Sequence, residues 1–382
     1  MPPSRAQARL AEFLETAERL KNERATAGNV LETLEATPPA EWPALAARPE
    51  FQTNAALERL GEEVRRRLDR NPREALALAE LATTIADALP ATAYPAVTLA
   101  QIRAMAWKDR ANALRILGRI PEALEVLARG EHILEKHVVL SVDRAVLDMV
   151  KALILVDTGD VDNARSIAIT CGSVFLAHGD LTRALQAGEI EGYVLFEKRQ
   201  FHDALELFSS LLEVARVTND LSAEARCENN LGQCSINLDE FKAANIHFSN
   251  AIAHMTDLGQ PLAATRAQWG AGQVSLAKGQ AENGLKYLHA ARDSFVQHGM
   301  FEESALCALT IAEYLLSHEE KSAAREIVHT IATEFRESTL ERRIIEAVTA
   351  LDQTLSDSEA PLAAVRHVYA LIKSAQSKHA VL

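Results

Sequence analysis

The stretch EGYVLFEKRQFHDALELF, residues 191–208, is answered forty positions on within NLGQCSINLDEFKAANIHF, residues 230–248, and that recurrence decides the fold. Gly192 becomes Gly232, Ala204 becomes Ala244 and Phe208 becomes Phe248. Outward from this pair the same period holds from 145 to 344. Ala152, Gly192, Gly232, Gly272 and Ala312 stand forty apart. Twelve positions after each comes Ala164, Ala204, Ala244, Gly284 or Ala324, and four further on Ala168, Phe208, Phe248, Leu288 or Val328. Between units sit the turn strings HGD (178–180), TND (218–220), LGQ (258–260) and HGM (298–300). A fixed period of this size marks a stack of supersecondary units.

The units read as helix, turn, helix. Counting from 145, 185, 225, 265 and 305, a small residue falls at position eight of each first helix and Ala or Gly at position twenty in each second helix. These positions face one another where two helices cross, because a bulky side chain there would prise the axes beyond the 8–10 Å of packed helices. The bulkier residues at position twenty-four fill the space beside the next unit. Gly179, Gly259 and Gly299, with Asn219 at the equivalent point, suit the left-handed cap that ends a helix, and Pro261 suits a first turn. With 48% hydrophobic but only 5% aromatic residues, the core is aliphatic and alanine-rich, which favours helices over sheets. At 382 residues the chain exceeds an ordinary domain, but a stack grows along an axis, so one elongated body is expected.

Residues 1–50 form an amino-terminal helical cap, with Ser4 and Gln7 as a capping box, a break at Gly28, and Pro38, Pro39, Pro43 and Pro49 keeping 37–50 irregular or briefly helical. Residues 51–144 are irregular helical pairs, including the strong start Asn71-Pro72-Arg73-Glu74, a helix stopped by Pro90, and a pair over 98–136. Residues 145–344 are the five regular repeats. Residues 345–382 are a capping repeat in which Pro361 opens a helix, Ala364 and Val368 continue the register, and 373–382 fray.

The formal charge of −13 repels a phosphate backbone, so nucleic acid is not an expected partner. The cluster Arg65, Arg66, Arg67, Arg70 and Arg73 is interleaved with Glu62, Glu63, Asp69 and Glu74 and reads as a solvated, ion-paired helix face. No uncharged apolar run is long enough to span a membrane, and the first twenty residues lack the apolar region of a signal peptide. Cys171, Cys227, Cys234 and Cys307 lack CxxC spacing and read as buried thiols in a reducing compartment; the expected location is cytoplasmic.

Catalytic constellations are not apparent. The segment from Gly279 to Lys286 has Leu285 where a phosphate-binding lysine belongs, and the histidines form no HExxH. His247 and His254 have no carboxylate or cysteine to complete a metal set, and His178 and His298 fall at helix ends, where the dipole favours a cation. No enzyme activity, cofactor or metal is expected.

The repeat resembles the tetratricopeptide repeat, whose consensus has small residues at positions eight, twenty and twenty-seven of a helix–turn–helix unit. Its closest carriers here are 191–208 and 230–248. A period of forty in place of the usual thirty-four is similar to the longer repeats of bacterial signalling proteins. The resemblance implies an all-α, right-handed α-solenoid of about eight helix–turn–helix units. It also implies that first helices line a concave face that contacts ligands through positions two, five, six, nine, twelve and thirteen. Arg226, Asn229, Asn230, Gln233 and Asn237 fall there in one unit, with Arg266, Trp269 and Gln273 in the next. Amides both donate and accept, so a row of them suits the backbone of an extended chain. Arg and Trp add the side-chain types enriched in binding hot spots.

On the same face Val146, Met149, Val150 and Leu153 form either an apolar groove for a partner helix or a surface on which residues 1–50 fold back. The carboxylate clamp of the chaperone-binding branch is matched only in part: Lys108 and Asn112 fit but Val150 does not, and Asn230 and Arg266 fit but Gly270 does not. The expected function is a non-catalytic protein- or peptide-binding scaffold or adaptor. The alternative is a peptide-responsive sensor whose superhelix changes conformation on binding. The partner is a protein or peptide, and the oligomeric state is left open.

Overall fold

The computed structural model describes residues 5–137, 139–336, 342–357 and 362–378. Among them the chain is all-α, nineteen α-helices with no strand, and it divides into two compact units, one up to Ile154 and one from Leu155. Ser4 and Pro361, expected to open helices, lie outside the described residues.

The first unit holds α1 (Arg5–Thr26), α2 (Gly28–Ala36), α3 (Trp42–Leu45), α4 (Asn54–Leu68), α5 (Pro72–Ala88), α6 (Ala96–Ile116), α7 (Ile120–Leu134) and most of α8 (Ser141–Asp157). Helix α5 starts as its sequence dictates, with the Glu74 amide donating to Asn71 Oδ1 over 3.2 Å. The prolines of 37–51 hold that segment to two short 3-10 turns around α3. The expectation that residues 1–50 cover the apolar side of α8 is not met. Helix α1 packs on α4, and Glu23 receives hydrogen bonds from the Asn54 amide and the Tyr94 hydroxyl. The reason lies in the bulk of Val30, Leu34, Trp42, Leu45 and Phe51, which bury themselves in one core with α4, α5 and α6.

The arginines of α4 are spent on nearby carboxylates, with Arg66 2.5 Å from Glu63 on the same helix, Arg67 2.8 Å from Glu74 of α5 and Arg65 3.4 Å from Asp109 of α6. Lys108 is taken by Asp109, and Asn112 accepts from Arg115 Nε. Neither half of the chaperone-type clamp is therefore free.

The second unit stacks α9 (Val161–Ala177), α10 (Leu181–Glu197), α11 (Phe201–Thr218), α12 (Leu221–Asn237), α13 (Phe241–Asp257), α14 (Pro261–Ala277), α15 (Ala281–Gln297), α16 (Phe301–Ser317), α17 (Lys321–Arg336), α18 (Arg342–Asp357) and α19 (Leu362–Lys378). Every repeat residue at positions eight, twenty and twenty-four from 164 to 328 is buried. The glycines are there for the ring or branch at position twenty-four: a methyl at Gly192 would lie 2.4 Å from Phe208, and one at Gly232 2.8 Å from Phe248. At Gly272 the expected partner at position twenty also crowds in, with the Gly284 carbonyl at 3.2 Å. Phe248 is pressed from the next repeat as well, where a methyl at Gly270 would come within 2.3 Å of its ring.

Each turn closes on a left-handed residue, and these recur every twenty positions. Gly179, Asn219, Gly259 and Gly299 end second helices, while Gly159, Arg199, Asp239, Gly279 and Glu319 end first helices. The chain then bonds back across each helix end, as in Gln200 N to Leu195 O at 2.9 Å and Gln260 N to Met255 O at 2.8 Å. His178 and His298 cap their helices through ring Nδ1 against the carbonyl four residues back, at 2.8 and 2.7 Å, a contact open to the neutral ring as well as to the cation.

The carboxyl-terminal pair departs from the register. Helix α18 packs on α17 as expected, but α19 packs on α16 as well as on α18, and it continues to Lys378 where fraying was expected from 373. Leu306 and Leu309 of α16 account for this: apolar, and buried with Val365, Val368 and Ile372 of α19.

Candidate functional site

First helices touch one another directly, α10 against α12 and α12 against α14, so their outward residues form one continuous face within the second unit. At its centre is an open pocket of about 170 Å³ lined by Tyr193 and Phe196 of α10, Phe208 of α11, and Asn230 and Gln233 of α12. Glycine builds it, because Phe208 reaches the α10 backbone only where Gly192 leaves no side chain in the way. An apolar cavity of about 150 Å³ accepts a benzene-sized guest. The pocket is therefore of the size for one aliphatic or aromatic side chain, with two amides at its wall. Burial pushes the Tyr193 hydroxyl up to about 12, so it stays protonated.

Below the pocket a buried ion pair ties α10 to α12. Arg226 Nε and Nη2 lie 2.7 and 3.0 Å from the two carboxylate oxygens of Glu189, and Nη1 reaches Ser222 at 2.8 Å. Burial works against both charges, but the Glu189 carboxylate keeps the Arg226 pKa above its ordinary value. Glu228, behind the face, accepts from Arg216 at 3.0 Å, pairs with His247 Nδ1 at 2.6 Å and accepts from Asn250 at 3.3 Å. Although burial opposes its charge, these partners hold it below the usual carboxylate range.

The residues expected at the face divide accordingly. Asn230 and Gln233 come together in the pocket. Arg226 is locked to Glu189, and Asn237 bonds back to the Gln233 carbonyl at 2.9 Å. Arg266 and Trp269 turn toward α16, the first 3.5 Å from Glu303 and the second edge-on to Phe295 and packed on the α16 core. Gln273 is half-buried on α14. On α8, Val146, Met149 and Leu153 are half-buried while Val150 joins the core with Leu147 and Ile154.

Two polar atoms on this face are shielded from solvent and have no hydrogen-bond partner, Asn229 Oδ1 and Trp269 Nε1, while the Asn230 amide has the Tyr193 hydroxyl as its partner. Leaving such a group unpaired costs about 1–3 kcal/mol. Sequence reasoning missed Tyr193, Phe196 and Phe208 as site residues. The signal was available, since four of the few aromatics in the chain, these three and Phe201, crowd into sixteen residues.

Reactive chemistry is suppressed around the site. Burial pushes the thiols of Cys227 and Cys234 up to about 12 and that of Cys307 well above its usual value, which removes the thiolate a nucleophile needs. Among the described residues no group of three or more His, Cys, Asp or Glu is placed to hold a metal, and no helix is long and apolar enough to cross a membrane.

The fold is that of the tetratricopeptide-repeat solenoids. No family model matches the chain, and no curated protein sequence matches it. Solved structures do. A Rap protein complexed with Competence and Sporulation Factor is 15% identical with a TM-score of 0.53, over 87% of this chain and 98% of that one. NprR in complex with its cognate peptide NprX is 13% identical with a TM-score of 0.53, over 87% and 96%. A STAND signal-transduction ATPase with a tetratricopeptide repeat sensor, from Pyrococcus horikoshii, is 10% identical with a TM-score of 0.52, over 91% of this chain and 52% of that one. At these identities the likeness is one of fold.

Proposed function

We infer that the chain is a non-catalytic binding protein whose ligand is an extended peptide segment lying along the α10, α12 and α14 face. One apolar side chain enters the pocket of Tyr193, Phe196 and Phe208, and the backbone is met by Asn229, Asn230 and Gln233. The observation that carries this reading is the pocket itself, an apolar floor of Tyr193, Phe196 and Phe208 walled by the amides of Asn230 and Gln233. Side-chain amides both donate and accept, so Asn230 and Gln233 at the wall suit the backbone of a chain whose side chain enters the pocket. NprR, which shares the fold, binds its cognate peptide. Both an adaptor and a peptide-responsive sensor would use this face. The cytoplasm, where buried thiols stay reduced, is the compartment that fits it.

Asn230→Leu separates function from folding. The change keeps the volume and removes one hydrogen bond, that with the Tyr193 hydroxyl, so stability falls by only about 1 kcal/mol. Capture of members of a synthetic peptide library bearing Leu or Phe, read by affinity selection and mass spectrometry, falls at least tenfold. Unchanged capture, or no library member retained by the wild-type chain, overturns the assignment.

A further inference from the structure

At the positions where α12 carries Arg226, Asn229, Asn230 and Gln233, α16 carries Leu306, Leu309, Thr310 and Glu313. This end of the first-helix face is apolar with a polar margin. It is covered: α19 lies on α16, burying Val365, Val368 and Ile372 against the core that includes Leu306 and Leu309. Arg366 Nε donates to Glu313 Oε1 over 2.7 Å at one margin, and Tyr369 has Thr310 as its hydroxyl partner. The opposite side of α19 shows Ala363, His367 and Ala370 to solvent. Helix α19 is thus an amphipathic helix seated in a groove, with aliphatic side chains at i, i+3 and i+7 and a cation at i+1.

We propose that this face of α16 is a helix-docking groove, which α19 fills within the chain and which an amphipathic helix of a partner protein, bearing the same aliphatic triad and adjacent cation, fills in its place. Three observations support it. At two of the four positions α16 replaces a guanidinium and an amide with leucine, which gives its outward side an apolar strip fit for an aliphatic stripe, with Thr310 and Glu313 as its polar margin. The charge pair is complementary across the margin, anion on the groove and cation on the occupant. Helix α19 takes this place instead of continuing the forty-residue register, so the contact reflects what the groove selects and not merely where the repeat would lay the next helix. The groove lies apart from the pocket of Tyr193 and Asn230, and its test does not depend on the peptide reading.

The test uses the full chain and a labelled synthetic peptide of residues 362–378, followed by fluorescence anisotropy. Val365→Asp with Val368→Asp unseats α19, so the peptide binds this variant saturably and at least tenfold more tightly than the wild-type chain, where the tethered helix competes at high effective concentration. Adding Glu313→Lys to the receptor weakens that binding at least fivefold. Where the double variant does not fold, Arg366→Glu decides alone: it loosens α19 without touching the apolar contact and admits the peptide, and Glu313→Arg combined with it excludes the peptide again. No binding to a folded variant, equal binding to variant and wild type, or dimerisation of the variant through its own α19 overturns the proposal.

Discussion

Replacing Gly270 by alanine probes the packing that defines the stack. The new methyl would stand 2.3 Å from Phe248 Cζ and 2.5 Å from Cε1, against the 3.5–4.0 Å at which carbon atoms rest. The ring would have to retreat by more than an ångström. It has nowhere to go, since a methyl at Gly232 on its other side would already meet it at 2.8 Å. Overpacking of this kind costs about 1–3 kcal/mol, and a fully buried ring flanked on both sides belongs at the upper end. Alanine returns about 1 kcal/mol through its preference for the helix, leaving a net destabilisation of about 1–2 kcal/mol. In a Phe248→Leu background the obstruction is gone, and Gly270→Ala stabilises by up to about 1 kcal/mol. The coupling between the two sites is then about 2–3 kcal/mol. Stacked repeats need not unfold in one step, so the quantity to measure is the hydrogen-exchange protection of α13 and α14 amides in the four chains of the cycle. Gly270→Ala that stabilises the wild-type chain, or that behaves alike in both backgrounds, refutes the packing account.

Arg226→Ala strands the buried Glu189 and should destabilise by about 3–5 kcal/mol in urea melts, with much of the loss recovered by adding Glu189→Leu. Arg199→Gly removes the cost of a side chain at φ 59° and should raise stability by about 0.5–1 kcal/mol, seen as a higher denaturation midpoint. Glu228, whose pKa is lowered in the folded chain, contributes stability that is present above the ordinary glutamate range and is lost as pH falls through its folded value. Acid melts of the Glu228→Gln variant should therefore be flatter below about pH 4.5 than those of the wild type.

The repeats were legible because their signal is steric: only Gly or Ala fits where Phe208, Phe248 and Leu288 press on a neighbouring backbone, and that constraint is written into single positions. Turn residues were legible only where the left-handed conformation fell on Gly or Asn. At Arg199, Asp239 and Glu319 the tertiary stack imposes the same conformation on residues that do not advertise it. Of the face that the resemblance implied, Asn230 and Gln233 come together at one pocket. The locking of Arg226 was not legible, because Glu189 lies thirty-seven residues away and pairs only once α10 and α12 are side by side. The seating of α19 escaped for a similar reason. Val368 satisfies the repeat pattern equally well in either place, and only the leucines of α16 decide between them.

The left-handed joints at twenty-residue intervals make the chain modular in a literal sense. Excising residues 221–260 would join Asp220 to Pro261, a helix end closed by Asn219 to a helix start that another such joint already precedes, without asking for a new corner. Length is then a variable that gene duplication or deletion can set in whole blocks, while each interior surface goes on meeting a copy of the neighbour it was shaped for.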